Sequence, residues 1–204
     1  MSSRLTNKKT FIVILCVILP LLGVGSWYLL DVSVRNVLLY KSPYTFQAQP
    51  GPGSQPLSER LLLVVVDGLE SESAENMVAI RDIANRGVAA RFQESCGLAH
   101  IPAMTVLMTG APPEISGVVT NWHNTGVMID SLWSSASRAG RNTTIVGDSK
   151  WKPLFGDVVT RGVYRQADAK LSNTDINDSI LKDAIIEIEQ GESQLILVGF
   201  LPER

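Results

Sequence analysis

The sequence has few cysteines and almost no net charge, and both shortages exclude classes of protein. Its 204 residues include two cysteines, Cys16 and Cys96, and carry a formal net charge of −2. Two widely separated cysteines do not make a disulfide-stapled scaffold, so stability must come from packing, and we expect Cys96 to be a buried small side chain. A nucleic-acid partner is not indicated, because such domains usually carry a basic excess.

Long apolar runs are also scarce, and one that can cross a bilayer lies near the N-terminus. Residues 11–30 contain no charged side chain, and about twenty apolar residues span a membrane as a helix. The preceding tail, residues 1–10, carries Arg4, Lys8 and Lys9. The positive-inside rule therefore predicts a single-pass protein with a cytoplasmic tail and an extracytoplasmic domain, which is periplasmic, extracellular or luminal. We interpret the run as an uncleaved signal anchor, with a cleaved signal peptide as the alternative.

A juxtamembrane segment and linker, residues 31–60, follow the apolar run. Within them the stretch 48–56 contains three prolines and two glycines. This composition breaks regular structure and buries little apolar surface. We therefore predict a tether that ends where a folded domain, residues 61–204, begins.

Short apolar runs alternate with helical patterns throughout the predicted domain. Runs of this kind predict strands, the first of them buried on both faces, and the periodic stretches predict helices. The alternation predicts an α/β fold with a doubly wound, mostly parallel sheet. The predicted strands are 61–66, 88–92, 143–146 and 194–200, and the predicted helices are 73–86, 102–109, 130–139 and 175–190.

Polar residues follow two of these elements at positions suited to binding. Asp67 and Gly68 come directly after the first strand, at the edge where open α/β sheets bind ligands. The stretch 101–110 predicts a helix that begins at Pro102, and helix N-termini attract anions. Asn121 ends the run Pro-Glu-Ile-Ser-Gly-Val-Val-Thr-Asn that follows. Together these features predict a metal-and-phosphate site.

This pattern resembles the alkaline phosphatase superfamily, in its type I phosphodiesterase/nucleotide pyrophosphatase branch. It is also similar to the glycosylphosphatidylinositol ethanolamine-phosphate transferases. The resemblance covers residues 61–204, and its specific part is the block 109–121, where residue types and spacing both agree. It implies that Asp67 is a metal ligand, that Asn121 binds a phosphoryl oxygen and that the intact family member holds two zinc ions.

The function implied by the resemblance is that of a membrane-anchored, extracytoplasmic, metal-dependent phosphodiesterase, phosphatase or phosphotransferase. Its substrates would be phosphate esters, with nucleotides, phospholipids and glycolipids all open. Two cations would neutralise phosphoryl oxygens and activate the attacking group. An Asn amide can donate a hydrogen bond to a nonbridging oxygen without adding charge.

Two departures from the family pattern bear on activity. His100 occupies the nucleophile position, two residues before Pro102, where the family has Thr, Ser or a modified Cys. Either catalysis is lost, or His100 is an unusual nucleophile or metal ligand, or the loop register is shifted. The family's other Asp and His ligands lie beyond a strand such as 195–200, so we expect an incomplete and inactive member of the family. The alternative function is a catalytically degenerate, membrane-tethered binding protein of the same fold.

Three other enzyme classes fit the sequence less well. Leu69 stands where a haloacid-dehalogenase-type phosphatase has its second Asp. The stretch 67–71 is not the glycine-rich turn of a dinucleotide-binding domain. The stretch 96–100 lacks the Cys-x-Pro-x-Arg pattern of sulfatases.

Five further residues are open to two interpretations each. Asp148 follows a predicted strand and is either a wall of the site or a helix cap. Trp122 and His123 either line a substrate pocket or lie on the surface. Asn142 and Asn177 begin triplets that match the N-glycosylation pattern or occur by chance.

Overall fold

The computed structural model describes residues 2–38, 40–45, 58–91, 99–166 and 171–202. The chain divides into two units, Met1–Lys41 and Ser42–Arg204. The predicted boundaries at residues 10, 30 and 60 stay predictions. The predicted tether at 48–56 and the predicted buried Cys96 lie outside the described residues.

The first unit consists of one long helix, α1 (Ser2–Leu38). Its segment Ile14–Val37 is long and apolar enough to cross a membrane, which agrees in length and composition with the anchor predicted at 11–30. An ion pair joins Arg35 Nε to Asp31 Oδ2 at 2.9 Å, one helical turn apart. The side of the membrane on which the second unit lies stays a prediction.

The second unit contains a parallel sheet of four strands among its described residues. The strands are β1 (Leu61–Val66), β2 (Thr143–Asp148), β3 (Arg161–Arg165) and β4 (Leu195–Phe200), in the spatial order β1-β4-β2-β3. All three pairings are parallel, and β4 lies between β1 and β2. The predicted α/β class is confirmed, whereas an alkaline-phosphatase-like core stays a prediction.

Helices cover both faces of this sheet, because alternate strand residues point to opposite sides. Ile145 and Leu197 pack on one side with Trp133 and Phe155. Val146, Ile196 and Val198 pack on the other side with helix residues such as Ile180. The helices are α2 (Ser71–Asn76), α3 (Val78–Arg86), α4 (His100–Thr109), α5 (Pro113–Ser116), α6 (Leu132–Arg138), α7 (Trp151–Phe155) and α8 (Asn173–Gln190). The first face carries residues of α4, α6 and α7, and the second carries α8.

Two predicted elements differ from the structure in the segment after β1. The single helix predicted at 73–86 is wrong, because Met77 adopts an extended conformation (ψ 122°) and divides it into α2 and α3. The strand predicted at 88–92 is also wrong for residues 88–91, which form no strand, and Phe92 lies outside the described residues.

The continuous apolar run of β1 predicts a strand that is buried on both faces. This prediction is wrong, because one face of β1 is exposed. Leu62, Val64 and Val66 are 46%, 57% and 43% exposed. The physical reason is its position at the edge of the sheet, since α8 lies over β4, β2 and β3. An apolar run identifies a strand here, but it does not show how much of that strand is covered.

Candidate functional site

A direct side-chain contact at the carboxyl edge of the sheet joins two of the predicted site residues. His100 Nδ1 lies 2.9 Å from Asp67 Oδ2, and both side chains are partly exposed. The N–H of Asp67 donates to Phe200 O at 3.1 Å, so the β1–β4 pairing continues one residue past β1. A carboxylate can only accept, so Nδ1 carries the hydrogen that lies between the two side chains, and in the neutral form of the ring Nε2 has a lone pair.

Asn121 joins the same site through the first turn of α4. The N–H of Ile101 donates to Asn121 Oδ1 at 2.9 Å, across twenty residues of sequence. Helix α4 begins at His100, so the prediction that it begins at Pro102 is wrong by two residues. The next N–H, that of Ala103, bonds to Ala99 O at 3.1 Å.

The anion site predicted at the start of α4 therefore has fewer N–H groups able to bind an anion than a helix N-terminus without such contacts. Pro102 has no N–H, and the N–H of Ile101 is used by Asn121. Among the described residues, the backbone N–H of His100 has no backbone acceptor. Because Oδ1 of Asn121 accepts from the helix, its Nδ2 group is the end that can donate to a ligand oxygen.

Three residues that are far apart in sequence thus meet around one helical turn. Asp67 is placed by the end of β1, His100 by the start of α4, and Asn121 by the loop after α5. The spacing of the motif indicated each of them singly. The direct pairing of Asp67 with His100 was not predicted, since no sequence signal links an aspartate to a histidine thirty-three positions away.

The described residues bring two possible metal ligands together here, Asp67 and His100. They contain no group of three or more His, Cys, Asp or Glu side chains placed to hold a metal ion. A two-metal site needs roughly six or seven protein ligands. The described part of the chain does not by itself fit such a centre, and the two zinc ions stay a prediction.

Asp148 does not join this site. Its side chain is 5% exposed, and strand alternation places it on the face of α8, whereas Asp67 follows Leu63 and Val65 on the face of α4. It is not a helix cap either, because the first turn of α7 has no side-chain cap.

The buried carboxylate of Asp148 is poorly compensated. Its Oδ1 accepts from Ser149 Oγ at 3.2 Å. Its buried Oδ2 has no hydrogen-bond partner within the described residues, and it forms a long ion pair with Lys150 Nζ at 3.7 Å. A buried acceptor in this state costs free energy.

Of the two residues after Asn121, the first is exposed and the second is half-buried. Trp122 is 78% exposed. The ring of His123 bonds locally, with Nε2 3.0 Å from Thr125 O and 3.1 Å from Thr125 Oγ1. Burial lowers the pKa of His123 below its ordinary value of 6.5, so this imidazole is neutral at pH 7.

No model of a known family matches the chain, and neither a curated protein nor a solved structure matches it. The resemblance to the alkaline phosphatase superfamily therefore depends on the sequence motifs and stays a prediction.

Proposed function

We propose that the protein is a membrane-anchored phosphoryl-transfer enzyme, a phosphodiesterase, phosphatase or phosphotransferase, with His100 as its nucleophile. The observation that carries the proposal is the 2.9 Å contact between Asp67 Oδ2 and His100 Nδ1. It places the residue that departs from the family motif in a reactive arrangement, and on this ground we propose an active protein in place of the inactive family member expected from the sequence. A divalent metal and the substrate classes, which are nucleotides, phospholipids and glycolipids, belong to the proposal through the resemblance alone.

The first step forms a bond between His100 Nε2 and phosphorus. The bond from phosphorus to the leaving-group oxygen breaks, its electron pair goes to that oxygen, and the oxygen takes a proton from water. Asp67 stabilises the positive charge that develops on the imidazole ring, as a carboxylate beside a catalytic histidine does. Asn121 Nδ2 donates to a nonbridging oxygen and adds no charge.

The second step regenerates the protein. Water or an acceptor alcohol attacks phosphorus, and the nitrogen–phosphorus bond breaks with its electron pair returning to Nε2. The proton of the attacking oxygen passes to solvent. Water as the acceptor gives hydrolysis, and an alcohol gives phosphotransfer.

The membrane part of the proposal depends on α1. The segment Ile14–Val37 has the length and apolar composition of an anchor. The basic tail favours a cytoplasmic N-terminus and an extracytoplasmic second unit. Protease protection of the full chain in sealed vesicles tests this orientation.

The chain offers a matched pair of histidine variants for the catalytic test. Hydrolysis of bis-p-nitrophenyl phosphate by the full chain in detergent micelles is compared for the wild type, His100→Gln and His123→Gln. We expect His100→Gln to lose at least about 100-fold in rate and His123→Gln to keep the wild-type rate. Full activity of His100→Gln would refute the assignment of His100 as the nucleophile.

The covalent intermediate has its own signature. With ³²P-labelled substrate, a label on His100 is lost in acid and retained in alkali, because the bond is a phosphoramidate. Label that survives acid would identify an oxygen ester and a different nucleophile.

A second candidate, a binding protein without turnover, is favoured by the small ligand set at Asp67 and His100. It predicts that inorganic phosphate, zinc or manganese stabilises the folded chain while no ester is hydrolysed. A ligand at 100 times its Kd stabilises the folded state by about 2.7 kcal/mol, which a melting experiment detects.

A further inference from the structure

Two asparagines of α8 hold the chain that follows β4. The N–H of Leu201 donates to Asn177 Oδ1 at 2.8 Å, and Asn177 Nδ2 donates to Leu201 O at 2.9 Å. Asn173 Nδ2 donates to Pro202 O at 2.8 Å. Asn177 therefore satisfies both backbone polar groups of one residue and fixes its peptide planes with a single side chain.

The segment held in this way contacts the turn that follows β1. Gly68 has φ +72°, and a Cβ placed on it would lie 2.9 Å from the Cβ of Pro202. The preceding residue, Asp67, donates its N–H to Phe200 O. Asp67 is thus located by Phe200 on one side and by the Gly68–Pro202 contact on the other.

These contacts form a continuous path from α8 to the contact between Asp67 and His100. Asn177 holds Leu201, the next residue Pro202 abuts Gly68, and the residue before Gly68 is Asp67. Displacement of Leu201 would release the turn after β1, which sets the position of the Asp67 carboxylate.

We propose that Asn177 is a positioning residue for the candidate site, which acts by holding Leu201 and Pro202 so that Asp67 stays paired with His100. The inference rests on the proposed function for its catalytic meaning. Its structural content, the pairing of Asp67 with His100, can be measured without turnover. Asn173, with one hydrogen bond to the same segment, has a smaller share of this role.

The readout is the tautomer of His100 in the full chain, labelled with ¹⁵N-histidine and held in detergent micelles. The chain has two histidines, so His123 serves as an internal reference and His123→Gln assigns the spectrum. The wild type is expected to show His100 with its hydrogen on Nδ1. In Asn177→Ala we expect His100 to shift toward the form with hydrogen on Nε2, while the His123 signals stay unchanged.

Asp178→Ala is the matched control, because it removes an exposed side chain from the adjacent position of the same helix. It should leave the His100 signals as in the wild type. If Asn177→Ala does not fold, Asn173→Ala removes one hydrogen bond and should shift His100 in the same direction by a smaller amount. A folded Asn177→Ala with wild-type His100 signals would overturn the proposal, and so would an unshifted Asn173→Ala.

Turnover of bis-p-nitrophenyl phosphate, measured on the same samples, separates the two proposals. We expect kcat to fall between about 10- and 100-fold in Asn177→Ala, since small misplacements of catalytic groups have effects of this size. A shifted tautomer with unchanged turnover would support the positioning role and refute the proposed function. Lost turnover with an unshifted tautomer would refute the positioning role and leave the proposed function standing.

Discussion

Replacing Gly68 by alanine tests how tightly the turn beside the candidate site is packed. Gly68 and Gly110 have nearly the same backbone conformation, with φ of +72° and +68°. Their surroundings differ, because a Cβ at Gly68 would lie 2.9 Å from the Cβ of Pro202, whereas a Cβ at Gly110 would meet no atom within 4 Å. Gly110→Ala is therefore a control that carries the backbone cost without the steric one.

The two costs can be estimated separately. Alanine in the left-handed region costs about 1–2 kcal/mol, which applies to both variants. Forcing extra atoms into a packed contact costs about 1–3 kcal/mol more, which applies to Gly68→Ala alone. At about 2–4 °C per kcal/mol for a domain of this size, Gly68→Ala should melt roughly 2–12 °C below Gly110→Ala.

Tryptophan fluorescence follows unfolding of the full chain in detergent micelles, because Trp133 and Trp151 are buried in the core. The double variant Gly68→Ala/Pro202→Gly, read against Pro202→Gly alone, removes the clashing Cβ. It should restore most of the steric part of the loss. Equal melting temperatures for Gly68→Ala and Gly110→Ala would refute the close contact with Pro202 and weaken the path from Asn177 to Asp67.

Two further predictions concern carboxylates of the second unit. Asp148→Asn removes a buried charge whose Oδ2 has no hydrogen-bond partner within the described residues and whose ion pair with Lys150 is long, at 3.7 Å. We therefore expect it to stabilise the protein by about 1–2 kcal/mol at pH 7 in urea unfolding, and a loss of stability would show that Lys150 compensates the charge. Hydrogen bonds from the Ser172 side chain and backbone lower the pKa of Asp175 below its ordinary value of 3.8. Because the folded-state pKa is depressed, this carboxylate contributes stability above pH 3.8 that is lost as the pH falls through the folded value. Asp175→Asn should flatten the acid side of the urea midpoint plotted against pH, and an unchanged acid side would contradict the effect of the Ser172 hydrogen bonds on Asp175.

Three of the four described strands were predicted from the sequence, and β3 was not. Strands β1 and β4 overlap predicted strands because their residues are almost all apolar, and β2 does so because Thr143 to Val146 are all β-branched. Strand β3 was missed, since Arg161, Gly162 and Arg165 interrupt its pattern and an edge position tolerates them. Single-residue conformations also escaped prediction, as at Met77, where one extended residue divides a helical pattern.

The candidate site was predicted as separate residues and not as an arrangement. Motif spacing indicated Asp67, His100 and Asn121, but the contact between Asp67 and His100 depends on where α4 begins relative to β1. The contribution of Asn177 had no signal of its own, and its triplet with Asp178 and Ser179 suggested glycosylation instead. Both the Oδ1 and the Nδ2 of Asn177 are hydrogen-bonded to the backbone of Leu201, so a glycan on Nδ2 would break these hydrogen bonds.

The strand order has a consequence for the time course of folding during synthesis. Strand β1 pairs with β4 and with no other described strand, and the paired residues Leu61 and Leu195 lie roughly 130 positions apart. At about 5–20 residues per second, the ribosome needs roughly 7–26 s to deliver that partner. Throughout this interval the uncharged sequence Leu-Leu-Leu-Val-Val-Val has unpaired backbone groups, which makes it a natural target for a chaperone and for self-association. The nascent chain is therefore open to these contacts until β4 emerges, and the carboxylate at the end of β1 reaches its place at the site only after β4 has inserted.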